Sequence, residues 1–328
     1  MKKNIALVTG GFSKEAEISY KSVITVYNNT DKEKYNVYII DINSEGWWHI
    51  KDNGEKILVD KNNFTITDNH QTIHFDAVLM CIHGTPGEDG KLQGYFDMLQ
   101  IPYTSCDAAT SALTFNKRFT VAVASFGSIH VSKSVMLLKN NFNDNDASKI
   151  IDTLTFPVFV KPNNGGSSIG MSKVNKTEHL IPAIHKAFEE DNQILIEEFI
   201  QGREFTIGVF KTKGNILTLP ITEIISKNEF FDYEAKYLGK SDEITPAIVE
   251  EPIAEQVRTA AKKIYQLLNC NGVVRIDFIY NEQNKQPYML EVNTVPGQSA
   301  ESIIPQQVEA MNWHLKDFYT ALIEECFN

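Results

Sequence analysis

Three oxygen-bearing side chains, Asp277, Glu291 and Asn293, fall in two neighbouring apolar runs: 272–280, G-V-V-R-I-D-F-I-Y, and 287–297, P-Y-M-L-E-V-N-T-V-P-G. The polar stretch 281–286 between them reads as the turn of a hairpin, and Pro287 suits the opening of its second strand. Alternation then puts Arg275, Asp277 and Ile279 on one face of the first strand, and Glu291 and Asn293 together on one face of the second. A sheet face carrying so much charge is costly to build for packing alone, and a bound cation resolves it. Three hard oxygen ligands favour Mg²⁺ or Mn²⁺ over zinc, which prefers His or Cys. Mg²⁺ held by so few protein groups completes its shell with water and phosphate, so the stretch predicts a nucleotide.

A second chemistry lies upstream. The apolar run 156–162 ends in Lys161, and Asn163-Asn164-Gly165-Gly166-Ser167-Ser168-Ile169-Gly170 follows it. Three glycines and two hydroxyls make a loop whose N–H groups can wrap phosphate oxygens, with Lys161 as a point charge at its base. No Gly-Lys-Ser/Thr closes it, so it is not a Walker A loop, and a plain Gly-Ser turn is the competing reading. Residues 171–174 look like the returning strand, which makes the loop a lid over a hairpin. After the strand 193–196, Glu197-Glu198-Phe199-Ile200 could accept from an adenine amino group while the backbone reads the ring edge, or could be a solvated strand end. His83 and Glu88 lie in His83-Gly84-Thr85-Pro86-Gly87-Glu88-Asp89-Gly90, directly after the strand 75–82, where α/β proteins place ligands. A lone His is more often structural. The neighbouring acids and glycines raise the functional reading.

The elements that must position these groups alternate along the chain. Residues 4–9 form a buried strand, Gly10-Gly11 a tight turn, Ser13 an N-cap and 15–27 a helix, in the manner of a half-Rossmann start. A G-x-G-x-x-G fingerprint is lacking, which argues against dinucleotide binding. Glu15 and Glu17 have a bland reading as acids complementing the helix dipole. A strand at 37–41 follows, and 44–72 reads as an irregular excursion or small hairpin. Residues 91–99 are helical, and a change of character near Cys106 marks the first boundary. Residues 108–126 read as one helix, in which Lys117 and Arg118 could be ordinary solvated residues. A helix over 178–190, strands over 204–211 and 216–225, a helix over 253–268 and two C-terminal helices complete the pattern. The segment 226–240, with Phe230, Phe231, Tyr233, Glu234, Lys236 and Tyr237, is too aromatic to be disordered by composition and reads as a functional loop. The division that results is 1–106, 107–200 and 201–328.

Composition agrees with a large enzyme. The chain has 328 residues, 42% hydrophobic, with 31 Lys and Arg against 42 Asp and Glu and a formal charge of −11, which disfavours a nucleic-acid surface. The 4 cysteines are widely spaced and read as reduced core thiols. Lys2 and Lys3 precede an apolar run, 5–8, too short for a signal peptide, and no run approaches the roughly 18 apolar residues of a membrane helix. The expected location is the cytoplasm.

Taken in order, V-K-P-x-x-x-G-S-S-x-G, I-E-E, G-R-E-F-T, D-Y-E-A-K-Y, G-x-x-R-I-D and L-E-V-N-T-x-P-G resemble the ATP-grasp superfamily. With L-V-T-G-G-x-S-x-E-x-E-I-S and H-G-x-x-G-E-D-G, the chain closely resembles the D-alanine–D-alanine ligases over essentially its whole length. The resemblance implies a three-domain α/β fold, an N-terminal half-Rossmann-like parallel sheet followed by two ATP-grasp domains that clamp ATP. It implies ATP-dependent joining of two D-alanines through an acyl phosphate, giving ADP, phosphate and the dipeptide of peptidoglycan. A homodimer is implied as well.

Carried over by position, the resemblance gives Asp277, Glu291 and Asn293 two Mg²⁺ or Mn²⁺ ions. It gives Lys117 and Lys161 the phosphates, Glu197 the adenine amine and Glu204 the ribose. Gly166, Ser167, Ser168, Met171, Glu198, Phe199, Ile200, Phe230, Lys236 and Leu290 complete the nucleotide site. Glu15, Ser167 and Tyr237 form a hydrogen-bonded set across three loops. Glu15 and His83 serve the first D-alanine, Ser302 and Ile303 the second, and Arg275 with the Gly297 N–H faces the oxygen that turns anionic. After Pro296-Gly297 this chain has Gln298-Ser299-Ala300-Glu301-Ser302 where well-known members have Met-Thr-Ser-His-Ser, which sets an acid, Glu301, near the second subsite. Gly165 also replaces the acid or bulky residue often seen there. The rival readings are a D-alanine–D-lactate ligase, another ATP-grasp carboxylate–amine ligase and an inactive nucleotide-binding module. All three metal ligands and both lysines weigh against the last. Tyr237 weighs against the first, because the lactate-forming relatives usually carry a histidine there that can repel an incoming ammonium.

Overall fold

The computed structural model describes residues 2–165, 169–226 and 241–328. Three sheets organise it. The first contains β1 (Lys3–Gly10), β2 (Tyr35–Asn43), β3 (Gly46–Ile50), β4 (Lys56–Asp60), β5 (Thr65–Asp68), β6 (Gln71–Ile73) and β7 (Ala77–Met80), in the order β6-β5-β4-β3-β2-β1-β7. Only β2, β1 and β7 pair in parallel. The stretch expected to be an irregular excursion is an antiparallel meander, β3 to β6, that extends this sheet. Its strands are 3 to 5 residues long, too short for a period-2 signal to stand out.

Central β1 is buried on both faces. Ile5 and Leu7 pack with Val23 and Val26 of α1 (Ala16–Asn29), while Ala6 and Val8 pack with Leu92 and Phe96 of α2 (Lys91–Leu99). A parallel strand between two helical layers therefore reads as continuous apolar sequence. The cap of α1 differs from expectation. Glu15 holds the N-cap position, and Ser13 instead accepts the Glu15 N–H through its Oγ at 3.2 Å.

The single helix expected over 108–126 is two, α3 (Ala108–Phe115) and α4 (Lys117–Phe126). Asn116 leaves helical geometry (φ −97°, ψ 103°), and its side chain accepts the Phe119 N–H at 3.1 Å. Asparagine competes with helical hydrogen bonding and is a preferred N-cap, so one residue ends α3 and starts α4. Lys117 becomes the first residue of α4 rather than a mid-helix surface lysine.

The second sheet, in the order β10-β9-β11-β8, is antiparallel: β8 (Ser134–Leu138), β9 (Val158–Pro162), β10 (Ser172–Val174) and β11 (Gln193–Glu198). β10 returns against β9 as expected. α5 (Ala147–Thr153) and α6 (Leu180–Glu190) back it, α6 through Leu180, Ala183, Ile184, Ala187 and Phe188 at helical spacing.

The third sheet holds β12 (Arg203–Thr212), β13 (Asn215–Thr218), β14 (Thr222–Ser226), β15 (Ser241–Ile244), β16 (Val273–Asn281) and β17 (Gln286–Asn293), in the order β15-β14-β12-β16-β17, with β13 paired to β12. The expected strand 216–225 is interrupted around Pro220, which has no N–H for a ladder. α7 (Glu251–Leu267) packs on β12 and β16 through Ala254, Val257, Ala261 and Ile264. α8 (Ile303–Ala310) follows the last strand, and Phe318, Tyr319, Leu322 and Ile323 of α9 (Leu315–Glu325) share a core with Ile5, Leu7 and Leu79 of the first sheet. That shared core joins the two ends of the chain. Cys81, Cys106 and Cys270 are buried free thiols and Cys326 is a partly buried one.

Candidate active site

β16 and β17 form the expected antiparallel hairpin, with Asp277 opposite Glu291 and Arg275 opposite Asn293. Directly opposed residues project to the same face, so all four side chains meet. The register shifts after Asp277: Phe278 pairs with Met289, leaving Leu290 as the extra residue of a bulge. The bulge lets Glu291 face the site while Met289, two positions away, is 2% exposed in the core. Neighbouring β12 adds a group not anticipated from the sequence, Thr206, which is paired to Asp277 and donates its hydroxyl to that carboxylate. Its signal was present in the G-R-E-F-T motif, where alternation puts Thr206 on the same face as Glu204.

Arg275 donates Nε–H and Nη2–H to the two Asp277 oxygens at 2.9 and 2.8 Å, and its Nη2 lies 3.7 Å from Glu291. Burial works to lower the guanidinium's pKa, but the Asp277 carboxylate and then the Glu291 and Glu88 charges hold it well above its usual value. Glu88 belongs to the loop after β7, so the charge of the His83 loop is felt at this arginine.

In that loop His83 is 4% exposed. Its N–H donates to Ser19 Oγ at 3.0 Å, its Nε2 is 3.0 Å from Ser22 Oγ, and its Nδ1 is 3.7 Å from Glu88 Oε1. Ser19 and Ser22 project from α1 and were not singled out in the sequence. Their spacing of four and seven residues from Glu15, on one helix face, is the signal that could have found them. Gly84 has φ 67°, and a Cβ there would collide with the Glu15 carboxylate and Ser13 Oγ, so the glycine allows the loop's close approach to Glu15. Burial, followed by the Glu88 charge, raises the Glu15 pKa, against the opposing pull of His83, Ser13 and Lys117.

Lys117 Nζ donates to the Gly165 carbonyl at 2.6 Å, and the Lys117 and Arg118 N–H groups donate to Asn163 O and Oδ1 at 3.0 and 2.9 Å. The start of α4 is thereby fastened to the base of the glycine loop. Lys161 and Glu197 project from adjacent β9 and β11 and form a close ion pair, their side chains 14% and 9% exposed. Glu198 turns elsewhere: its carboxylate accepts the Thr155 N–H at 2.8 Å, and its backbone bonds Lys133 O and Ser132 Oγ. Phe199 stacks at 5.9 Å on Phe159, Met171 is half-buried just before β10, and Ile200 lies two residues past the end of β11. Among the described residues the Lys161–Glu197 pair makes no ion pair with the third sheet.

At the other end, a Cβ on Gly297 would stand 2.8 Å from Ser302 Oγ. Ser302 is the N-cap of α8, with Ile303 as its first residue, and its Oγ bonds Ser299 Oγ at 2.8 Å. Glu301 is exposed. Gly166, Ser167, Ser168, Phe230, Lys236 and Tyr237 lie outside the described residues.

The donor set fits a hard divalent ion: two carboxylates and an amide oxygen on adjoining strands. Among the described residues no three His, Cys, Asp or Glu side chains cluster to hold a metal. Arg275 occupies both Asp277 oxygens and Asn293 Oδ1 accepts the Val295 N–H at 3.0 Å, so an ion would share these oxygens. The Lys161–Glu197 pair and Lys117 are cations and an acceptor of the kind a nucleotide site could use.

Two family models match the chain, the D-ala D-ala ligase N-terminus over residues 4–106 and the D-ala D-ala ligase C-terminus over 123–324. The chain belongs to the D-alanine–D-alanine ligase family. It is 46% identical over 329 residues to the D-alanine–D-alanine ligase of Phocaeicola vulgatus, covering 100% of each, and 46% identical over 322 residues to that of Flavobacterium johnsoniae, covering 98% of each. Among solved structures it resembles the VanG D-Ala:D-Ser ligase from Enterococcus faecalis (TM-score 0.90, 30% identity, 99% of this chain and 100% of that one). It also resembles the ATP complex of D-alanine–D-alanine ligase from Bacillus anthracis (TM-score 0.77, 26% identity, 99% and 97%). The three sheets are those of the ATP-grasp ligases of this family.

Proposed function

We propose that this chain uses ATP to join two D-alanines into D-alanyl-D-alanine for peptidoglycan synthesis, by way of a D-alanyl phosphate. The observation that carries the reading is the cluster on β16–β17, where Arg275 donates to both Asp277 oxygens, lies 3.7 Å from Glu291 and stands opposite Asn293. Lys161 and Lys117 grip the phosphates, Glu197 takes the adenine amine, and Glu204 the ribose. Glu15, kept next to His83, binds the first ammonium. The first carboxylate attacks the γ-phosphorus, the acyl phosphate forms and ADP leaves. The second amine attacks the carbonyl carbon, Arg275 and the Gly297 N–H receive the developing oxyanion, and phosphate departs. Ser302 and the N–H groups opening α8 hold the second carboxylate. Magnesium or manganese, held by Asp277, Glu291 and Asn293, would neutralise charge on the transferring phosphoryl group.

The chain is proposed to work in the cytoplasm, where ATP is available, as a homodimer. No helix among the described residues is long and apolar enough to cross a membrane. The test is incubation with ATP, MgCl₂ and D-alanine, with phosphate measured and products weighed by mass spectrometry. D-lactate and D-serine enter as competitors, the latter because one structural relative is a D-Ala:D-Ser ligase. The Tyr237 phenol, uncharged near neutral pH with a reference pKa of about 10, sets the expectation of dipeptide as the main product. Phosphate release without dipeptide, or a depsipeptide excess at neutral pH, refutes the assignment.

A further inference from the structure

We propose that Gln298 and Tyr319 are a positioning pair that, through Ser22, holds His83 and the Gly297–Gln298 backbone in place for the ligation described above, an inference that rests on that reading. Four residues remote in sequence form one buried hydrogen-bonded line. The Tyr319 hydroxyl donates to Gln298 Oε1 at 3.1 Å, the Gln298 N–H donates to Ser22 Oγ at 3.1 Å, and Ser22 Oγ lies 3.0 Å from His83 Nε2. Their exposures are 1%, 5%, 0% and 4% in that order. The line runs from α9, through the loop after β17 and α1, to the loop that carries Glu88.

A glutamine buried to this degree is costly unless its amide is bonded, and an unbranched apolar side chain would fill the same space without that cost. What the amide adds is direction. Tyr319 is 1% exposed, its ring 5.5 Å from that of Phe318, inside the core shared by α9 and the first sheet. Burial, and next the nearby Cys81, keeps its phenol pKa far above the ordinary value, so it remains a donor. The adjoining cavity is only about 20 Å³, space for roughly one water, so bulk solvent cannot replace the tyrosine. Gln298 directly follows Gly297. A shift of its backbone moves the proposed oxyanion donor and, through Ser22, the imidazole of the first subsite together. Sub-ångström misplacement of such groups is expensive in rate.

The experiment compares Gln298→Met, Tyr319→Phe and the double variant. Each substitution nearly conserves volume and removes one end of the same hydrogen bond. The readouts are kcat and KM for D-alanine at saturating ATP, KM for ATP, and Tm. Each single variant should lower kcat/KM for D-alanine by between about twofold and tenfold, the range of one buried neutral hydrogen bond, and leave the KM for ATP unchanged. The double variant should be no worse than the more damaged single, because only one bond is lost. Additive losses, unchanged D-alanine kinetics, or parallel loss of D-alanine and ATP parameters with falling Tm would overturn the pair. Should Gln298→Met not fold, Tyr319→Phe, which loses a single hydroxyl, decides alone. A wild type that makes no dipeptide sinks the functional reading and the pair with it, whereas an active wild type with indifferent variants sinks only the pair.

Discussion

The face of β16–β17 and the pair on β9–β11 both set opposite charges side by side on adjacent strands, yet they balance differently. On the third sheet Arg275 feels Asp277, Glu291 and Glu88, and Glu243 of β15 in turn feels Arg275 and Asp277. Among the described residues, one guanidinium faces the two acids of the hairpin. On the second sheet, among the described residues, Lys161 pairs with Glu197. The first arrangement gathers acids around one guanidinium, where a bound cation is proposed, while the second matches one charge with one. On the proposed reading, a nucleotide opens it, drawing the lysine to phosphate and leaving the glutamate for the adenine amine. One region sets several acids around an arginine, and the other balances a single lysine against a single glutamate.

The largest effect should come from Glu291→Gln. If Glu291 is the ligand shared by two metals, as proposed, its loss should cost about 10³-fold in kcat, read as phosphate release at saturating Mg²⁺, with Tm unchanged or raised because a crowded acid is gone. Near-normal turnover would erase the contrast. Lys161→Met should instead damage both rate and fold. It removes a phosphate contact, expected to lower kcat/KM for ATP by about 10²-fold, and it strands Glu197, expected to cost about 3 kcal/mol in a denaturant melt. An unchanged melt would show that the pair is not the balanced unit described above.

Glu15→Gln sharpens the role of the loop between the two regions. The Glu15 pKa is raised above the ordinary 4.5, chiefly by burial and then by Glu88. A raised carboxyl pKa means that the native state holds the proton more tightly than the unfolded one. Its stabilising contribution is full below the unfolded value and is lost as pH rises through the folded value. The variant should therefore be as stable as wild type at neutral pH or more so, and should lack that part of the pH dependence in melts across the acid range. Its KM for D-alanine should rise about tenfold for want of the ammonium's partner, and wild-type affinity for D-alanine should weaken as pH falls through the same window. Wild-type stability that climbs through that window would contradict the sign. The smallest effect is expected from Asn116→Ala. Loss of the cap should cost about 1 kcal/mol in a melt and raise the KM for ATP by less than Lys161→Met does. An equal rise would mean that Lys117, not Lys161, dominates the phosphate grip.

Asp277, Glu291, Asn293 and Arg275 could be assembled from the sequence because they sit within one hairpin, where a short turn and a period of two set which residues share a face. Lys161 with its glycine-rich sequence, and Glu197 at the end of an apolar run, were legible for the same local reason. Tertiary structure alone decided what crosses between elements. It set Thr206 against Asp277, fastened Lys117 to Gly165 after the break at Asn116, turned Glu198 away from its neighbour Glu197, and strung Tyr319, Gln298, Ser22 and His83 into one line. The Leu290 bulge is of the same kind, since strict alternation gives no hint of an extra residue. Periodicity reports which way a side chain points within its own element. Which partner it meets depends on how separately folded helices and sheets pack, and for Gln298 and Ser22 that partner lies 276 residues away.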